Sequence, residues 1–515
     1  MSIIEHIDSS VGRLAIHSIA ATRTREANAL AATPAFTLMA RAGDCVARLV
    51  LALAPHTRSV LVFAGAGNNG GDGIEAATRL CEFGKDASVV LVGDPARLPA
   101  DAARALARAR SAGVVVRAAD AADDLIDDMP DLVIDALLGI GASRPPEPPI
   151  AAAIDRIAGL AARGARVLAV DVPSGLDVDR GQPLGAPCVT ADDTLTFITA
   201  KPGLFTGTGR DHAGRVWLAR LGVDADVDAE KTPAADAFLV GRRDPSCAVA
   251  PRRHAQHKGS FGDVAIVGGA AGMTGAAWLA ARAAQAAGAG RVFVDLLGAT
   301  STNEVGVDPR HPELMFRPGW AQGDAAIVSR SIVVCGCGGG DAVRALLPRL
   351  FSLAARLVLD ADALNALAVD ASLQTLMQAR AGRGFETILT PHPLEAARLL
   401  GNDTAHVQGD RLRSARELAE RYRAVVVLKG SGTVIATPGE PPRINATGNA
   451  SLASAGTGDV LAGWIGGRWA VGAMSAFDVA TRGVIEHGAA AEPERAGALR
   501  ASDLIEALYR GAARG

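Results

Sequence analysis

Aromatic residues are scarce in this sequence, at 4% of 515 residues. Its cores must therefore be filled by Ala, Val, Leu and Ile rather than by large rings. Cysteine is also sparse. Cys45, Cys81, Cys188, Cys247, Cys335 and Cys337 form no C-x-x-C pair and no Cys/His group at zinc spacing. That excludes a zinc ribbon or a disulfide scaffold and suits reduced thiols. Neither sign of charge is in surplus, since 52 Lys+Arg stand against 55 Asp+Glu for a net charge of -3. No global basic field exists to hold a nucleic acid or an anionic membrane. No uncharged apolar run reaches the ~18 residues of a membrane span. Glu5, Asp8 and Arg13 break any N-terminal signal pattern. The expectation is a cytoplasmic protein with neither nucleic acid nor membrane as partner.

Small residues are abundant instead. Glycine occurs 58 times, and 49% of the chain is hydrophobic against 21% charged, the balance of an ordinary globular protein rather than a disordered one. At ~150 residues per domain the length suggests two to four domains. In the first half, candidate strands Ser59–Ala64, Ala87–Val92, Gly113–Val116, Asp131–Ala136 and Arg166–Asp171 alternate with helical patterns such as Gly73–Phe83 and Pro99–Ser111. An Ala/Asp/Glu-rich stretch without periodicity follows, and a second series begins near Asp263. Its candidate strands are Val264–Val267, Arg291–Leu296, Ser331–Cys335, Arg356–Asp360, Glu386–Thr390, Ala424–Lys429 and Thr433–Thr437. Its helical patterns include Gly275–Ala287, Ala342–Leu353, Gly409–Tyr422 and Val460–Ala470. Repeated βα alternation predicts parallel sheets covered by helices. The fold class is α/β, with two domains: residues 1–222 and 241–515, joined by a linker at 223–240.

Strand Ser59–Ala64 runs into Gly65-Ala66-Gly67-Asn68-Asn69-Gly70-Gly71-Asp72-Gly73. Gly65, Gly67 and Gly70 satisfy G-x-G-x-x-G, and Asp94 at the next strand end sits where a ribose-binding acid would. Asn68, Asn69 and Asp72, however, add oxygen ligands to the turn. A carboxylate there would repel a pyrophosphate, whereas oxygen donors suit a hard cation or a hydroxyl. The plainer alternative is a tight turn with Asp72 capping the helix. Asp135 and Asp171 end two further strands, and the carboxyl ends of strands are where doubly wound sheets bind ligands.

Gly-Asn-Asn-Gly-Gly-Asp-Gly at 67–73, Asp135-Ala-Leu-Leu-Gly139, Asp171-Val-Pro-Ser-Gly175 and the later Lys201-Pro-Gly-Leu204 together resemble the NAD(P)H-hydrate epimerase family, over roughly residues 10–222. The resemblance implies a Rossmann-like fold and interconversion of the R and S forms of NAD(P)H hydrated at nicotinamide C6, with bound potassium. By motif, Asn69, Asp135 and Ser174 would ligate K+. Asn68, Asn69, Gly70, Gly71 and Asp72, with Gly139, Ile140, Gly141, Ala142, Ser143, Arg144 and Pro145, would line the substrate's phosphates and ribose. Asp171 would be the acid/base, a role in which a carboxylate both shuttles a proton and stabilises a cationic ring.

In the second half, Gly268-Gly269-Ala270-Ala271-Gly272 and Gly336-Cys337-Gly338-Gly339-Gly340 each follow a strand. Lys429-Gly430-Ser431-Gly432-Thr433 ends another, and Gly456-Thr457-Gly458-Asp459 opens a helix. Backbone N–H groups at that helix start can form an anion hole, with Asp459 placed to take a proton from a hydroxyl. There is no Walker A motif. With Thr390-Pro391-His392-Pro393 and Asn445–Asn449, these runs resemble the ribokinase-like NAD(P)H-hydrate dehydratases over roughly residues 240–512. That family commonly reads Gly-Pro-Gly-Leu-Gly where this chain has Gly336–Gly340. The resemblance implies ADP with Mg2+ as co-substrate. It would place Lys429, Gly430, Ser431, Gly432, Thr433 and Gly458 at the nucleotide. Ala277, Gly338, His392 and Asp459 would face the hydrate, with Asp459 the base.

The two resemblances imply one pathway. The first domain would supply S-hydrate from R-hydrate, and the second would phosphorylate and dehydrate it to NAD(P)H, converting ADP to AMP and phosphate. The implied partners are small molecules (NADHX, NADPHX and ADP), and a homo-oligomer is expected. Competing readings are a small-molecule kinase, which would lack the first half, a non-catalytic nucleotide-binding scaffold, and a conventional NAD-dependent dehydrogenase resting only on G-x-G-x-x-G and Asp94.

Overall fold

A computed structural model describes residues 3–223, 234–248, 253–298, 310–492, 497 and 499–512. The chain divides into two compact units, residues 1–8 with 15–237 and residues 9–14 with 238–515.

The first unit is built on an eight-stranded sheet. Its spatial order is Ile4–Ile7, Arg215–Ala219, Asp193–Phe197, Arg166–Val170, Leu132–Ala136, Ser59–Gly65, Asp86–Val92 and Val115–Ala118. Neighbours are parallel except Ile4–Ile7, which is antiparallel to Arg215–Ala219. Strand periodicity of two divides the side chains between two cores. Val60, Val62 and Ala64 pack with helices Thr37–Leu53, Asn68–Glu82 and Ala100–Ser111. Leu61 and Phe63 pack with helix Ile150–Ala162. From Ser59–Gly65 the chain moves outward to Val115–Ala118, then returns to the other side of its first strand at Leu132–Ala136. That reversal opens a crevice at the strands' carboxyl ends.

One helix differs from the pattern read in the sequence. It begins at Asn68, not Gly73, and Gly67 is its N-cap. Asp72 is therefore not a cap. A Cβ on Gly70 would lie 1.9 Å from the Gly65 carbonyl oxygen. The helix can start this close to the strand only because residue 70 is glycine, while a Cβ on Gly65 would meet the Leu137 carbonyl oxygen at 2.0 Å. Packing here overrides a helix penalty of about 1 kcal/mol per glycine.

In the second unit the sheet runs, in spatial order, Met315–Phe316, Arg291–Leu296, Asp263–Gly268, Ile332–Cys335, Arg356–Leu359, Glu386–Leu389, Val425–Leu428, Val434–Ala436 and Arg443–Asn445. It is parallel as far as Val425–Leu428, and the next two pairings are antiparallel. Helix Ala342–Leu353 of the sequence reading is instead a 3-10 turn, Asp341–Ala345, followed by helix Leu347–Leu353. Pro348 near that helix start has no N–H to continue the earlier turn. The Gly409–Tyr422 pattern becomes helix Arg411–Tyr422, because Asp410 caps it by accepting from the Arg413 N–H. Of the stretch read as a linker, residues 224–233 lie outside the described residues, while 238–240 pair with Arg443–Asn445. Residues 9–14 also cluster with this unit, where Arg13 donates to both Asp244 oxygens at 2.8 and 3.0 Å. Among the described residues no helix is long and apolar enough to cross a membrane. All six cysteines are free thiols.

Candidate active sites

In the first unit the crevice is a cavity of about 1090 Å³. Of the sequence-predicted residues, Asn68, Asn69, Asp72, Gly139 to Pro145 and Asp171 line it, together with Asp94. Gly70 and Gly71 are buried in the helix start and do not line it. Asp94 caps the turn Pro95–Arg97 through the Ala96 N–H.

Asp171 is held by the loop after strand Arg166–Val170 in the left-handed region, at φ 64°. Such backbone is uncommon outside glycine and clusters at functional sites. Its Oδ1 accepts from Lys201 Nζ at 2.6 Å, the Phe197 N–H at 3.1 Å and Thr196 Oγ1 at 3.3 Å. Lys201 is fully buried, and its ammonium also donates to Thr196 Oγ1 and the Phe197 carbonyl, each at 2.8 Å. An ammonium with every bond aimed at oxygen fixes the position of the Asp171 carboxylate beside the cavity.

Asp135 is fully buried at the end of strand Leu132–Ala136. Ser174 Oγ and N–H donate to it at 2.6 and 2.8 Å, and the Leu137 N–H at 3.2 Å. Burial pushes its carboxyl up to about 6 despite these bonds. Asn69 has both its Oδ1 and Nδ2 buried without a hydrogen-bond partner among the described residues, and a Cβ on Gly139 would lie 3.2 Å from the Asn69 Cβ. An orphaned amide oxygen, a buried carboxylate and a hydroxyl are the hard oxygen donors that a monovalent cation takes. Asn69, Asp135 and Ser174 therefore fit potassium.

Five other acids line this cavity: Glu26, Asp72, Asp94, Asp101 and Glu147. Burial raises Asp72 well above the usual carboxylate range, reinforced by Asp171, Glu26 and Asp101. A raised proton affinity at Asp72 lessens the repulsion its carboxylate would exert on an anion in this turn. Glu26, on helix Ile19–Ala32, is raised by burial and then by Asp171.

In the second unit the polar residues converge at the carboxyl ends of the parallel strands. Asp360 follows Arg356–Leu359 and is nearly fully buried. Lys429 Nζ and Thr390 Oγ1 each donate to its Oδ1 at 2.8 Å. Asp459 sits in the first turn of helix Thr457–Val471, whose N-cap Gly456 has φ 85°. Carboxylate oxygens of Asp360 and Asp459 and the Cys337 sulfur lie within 4.8 Å of one another. Burial, then the charge of Asp360, raises the Asp459 carboxyl to about 6. Its affinity for a proton is thus increased where a base is needed.

The same centre includes Glu395, 3.9 Å from Lys429 Nζ. His392 caps helix Pro393–Leu400 by accepting from the Leu394 and Glu395 N–H groups on Nδ1. Its Nε2 lies 3.3 Å from Glu395 Oε1. Burial raises Glu395 to about 7. Lys429 loses solvation, but Asp360 and Glu395 together raise its pKa. Gly458 leaves room beside the Lys429 ammonium, which lies 3.4 Å from where a Cβ would stand. Gly430 and Ser431 are exposed in the following turn, Gly432 is buried and Thr433 half-buried. Buried Arg411 donates to the Leu428 and Lys429 carbonyls at 3.1 and 3.2 Å and so braces that turn. Gly338, at φ 58°, meets the start of helix Thr274–Ala286, and Ala277 is packed in the core against Gly269. The Ala277 side chain therefore does not face an open site.

Cys337, Asp360 and Asp459 suit a magnesium ion poorly. The thiol is a soft donor that burial and two carboxylates keep protonated, and Lys429 already neutralises Asp360.

Comparison with known proteins resolves what this pairing of sites belongs to. Residues 35–203 match the family described as YjeF-related protein N-terminus, and residues 264–510 the family NAD(P)H-hydrate dehydratase. The bifunctional NAD(P)H-hydrate repair enzyme of Escherichia coli K12 is 35% identical over 94% of this chain and 91% of its own length. The chain belongs to the bifunctional NAD(P)H-hydrate repair enzyme family. The Coxiella burnetii member is 36% identical, covering 89% of this chain and 90% of that one. The solved ADP/ATP-dependent NAD(P)H-hydrate dehydratase of Bacillus subtilis, co-crystallised with ATP/Mg2+, is 30% identical over 52% of this chain and 95% of that chain, with a TM-score of 0.45.

Within this repair-enzyme chain, sequence reasoning left out Glu26, Asp360 and Glu395 as site residues, and gave Lys201 only as part of a motif. Asp360 carried the signal already used for Asp135 and Asp171, an acid just past an apolar strand. Glu395 was visible three residues after His392, the spacing of a capping box. Glu26 lies on a helix remote in sequence from every glycine motif, and no local pattern marks it.

Proposed function

We propose that this chain repairs hydrated nicotinamide cofactors with one reaction per unit. The first unit interconverts R- and S-NAD(P)H hydrate. The second dehydrates the S form to NAD(P)H using ADP, giving AMP and phosphate. The reading is carried by the presence, in each unit, of an acid–lysine centre at the carboxyl ends of parallel strands, in a chain that aligns almost end to end with bifunctional repair enzymes.

In the first unit Asp171, braced by the Lys201 ammonium, exchanges a proton at the C6 oxygen and faces the cationic ring that forms when the hydroxyl leaves. Asn68, Asn69, Asp72 and the 139–145 loop bind phosphates and ribose. Asn69, Asp135 and Ser174 would hold potassium, which when bound supplies a fixed positive charge beside the buried Asp135. In the second unit Asp459 takes the proton of the C6 hydroxyl so that its oxygen can attack a phosphoryl group, and first-turn N–H groups of helix Thr457–Val471 accept the transferred charge. Lys429 to Thr433 and Gly458 bind the nucleotide, His392 and Gly338 border the hydrate, and any Mg2+ arrives on the nucleotide's phosphates. Free cysteines support a cytoplasmic setting.

The test is a mixture of R- and S-NADH hydrate given ADP, ATP or no nucleotide, followed by reduced-nicotinamide absorbance. Full recovery with a nucleotide, above the spontaneous epimerisation seen with Asp171→Asn, is expected. Recovery that stops at the S fraction would leave the first unit a scaffold. No recovery with either nucleotide would refute the reading.

A further inference from the structure

We propose that Glu26 is the second acid/base group of the epimerising site, acting on the nicotinamide ring from the face opposite Asp171. This rests on the reading of the first unit as an epimerase.

Inverting C6 through a planar cation requires a hydroxyl to leave one face of the ring and water to arrive on the other. A single carboxylate can serve only one face at a time. Asp171 is fixed by the Lys201 ammonium on the loop after strand Arg166–Val170. Glu26 lines the same cavity from helix Ile19–Ala32. That helix is anchored against the loop that carries Lys201, the partner of Asp171, since Thr22 Oγ1 lies 2.7 Å from Thr199 Oγ1. Glu26 is one turn further along on the Thr22 face. Arg23, between them, reaches the 139–145 loop, with Nη2 3.5 Å from where a Gly141 Cβ would stand. Thr22, Arg23 and Glu26 of this helix thus line the crevice from an element separate from the loop of Asp171. The charged and titratable groups facing Glu26 are Asp171, Lys201, Arg23 and Asp72. Burial, then the Asp171 charge, raises the proton affinity of Glu26, and the Lys201 ammonium donates to Asp171.

The step balances as follows. The Glu26 carboxyl gives its proton to the C6 hydroxyl. The C6–O bond breaks with its electron pair on oxygen, which leaves as water, and the ring nitrogen's lone pair forms the N1=C6 double bond. A water on the opposite face bonds to C6 and passes its proton to Asp171. One water leaves, one enters, one proton moves from Glu26 to Asp171, and nothing is oxidised or reduced. The reverse epimerisation uses the two groups in exchanged roles.

The experiment uses the full chain. R-NADH hydrate is incubated in H2-18O without nucleotide, so that S-hydrate accumulates. Its 18O content and rate of appearance are measured for wild type, Glu26→Gln and Glu26→Asp, with spontaneous exchange subtracted. The expected result is one 18O per epimerisation in wild type and a rate loss of about 100-fold or more in Glu26→Gln. Glu26→Asp should recover part of the rate with a displaced alkaline limb. Dehydration of S-hydrate with ADP should be unchanged in both variants, and an unchanged urea midpoint for the first unit's transition reports that this unit is folded. Wild-type epimerisation in Glu26→Gln would overturn the proposal, as would retention of the original oxygen, which indicates ring opening instead. Both outcomes leave the epimerase reading standing. A wild-type chain that does not epimerise at all refutes that reading itself.

Discussion

Each unit pairs a lysine with an aspartate past the end of a parallel strand, but the pairs differ in which acid the lysine holds. In the first unit Lys201 bonds directly to Asp171, the proposed acid/base. In the second, Lys429 bonds to Asp360 and leaves the neighbouring Asp459 raised to about 6. The difference follows the chemistry proposed for each. A carboxylate braced by an ammonium is held in one position beside the ring on which positive charge develops. A base that must remove a hydroxyl proton gains from a higher proton affinity, and a second anion close by supplies it.

The largest expected effects come from exchanging each acid for its amide. Asp459→Asn should lower dehydration by roughly 10²–10⁴-fold and leave epimerisation unchanged. Asp171→Asn should do the reverse, repairing S-hydrate normally and stalling on R-hydrate. Loss of both activities in either folded variant, measured by separate assays, would break the division of labour between the units.

The two lysines should differ in stability as well. Lys201 is fully buried, so Lys201→Met should strand Asp171 and cost about 3–5 kcal/mol, read from the urea midpoint of the first unit's transition. Lys429 is 19% exposed, and Lys429→Met should cost the second unit less. Equal losses would contradict the contrast in burial.

The pH dependence sharpens the comparison further. Asp459 must be ionised to act as a base, so kcat/KM for dehydration should fall as pH drops through about 6. Asp360→Asn removes a neighbouring negative charge, lowers the proton affinity of Asp459 and should move this limb to lower pH. Lys429→Met removes a positive charge and should move it higher. A limb that stays fixed in both variants would exclude Asp459 as its source.

Potassium should give the smallest effect. Exchanging choline for potassium at constant ionic strength should raise the first unit's Tm by a few degrees, on the order of 1 kcal/mol. Asn69→Ala should abolish the increment, and the second unit's Tm should not move.

Much of this arrangement is legible along the chain. Apolar β-branched runs at regular intervals dictated two α/β halves, because parallel strands buried on both faces must be apolar throughout. Asp135, Asp171, Lys429 and Asp459 stood out as polar groups abutting such runs or at a glycine-rich helix start. Composition and local pattern also set the glycine turns, since nothing larger than glycine fits at Gly65 and Gly70. What the chain order could not reveal is which charge sits beside which. Asp360 and Lys429 are 69 residues apart, and Glu26 is far in sequence from Asp171. Those proximities arise when separate strands and helices are packed side by side. Electrostatic pairing depends on distance through the folded interior, and only the tertiary structure decides whether a lysine fixes an acid's charge or leaves its neighbour basic.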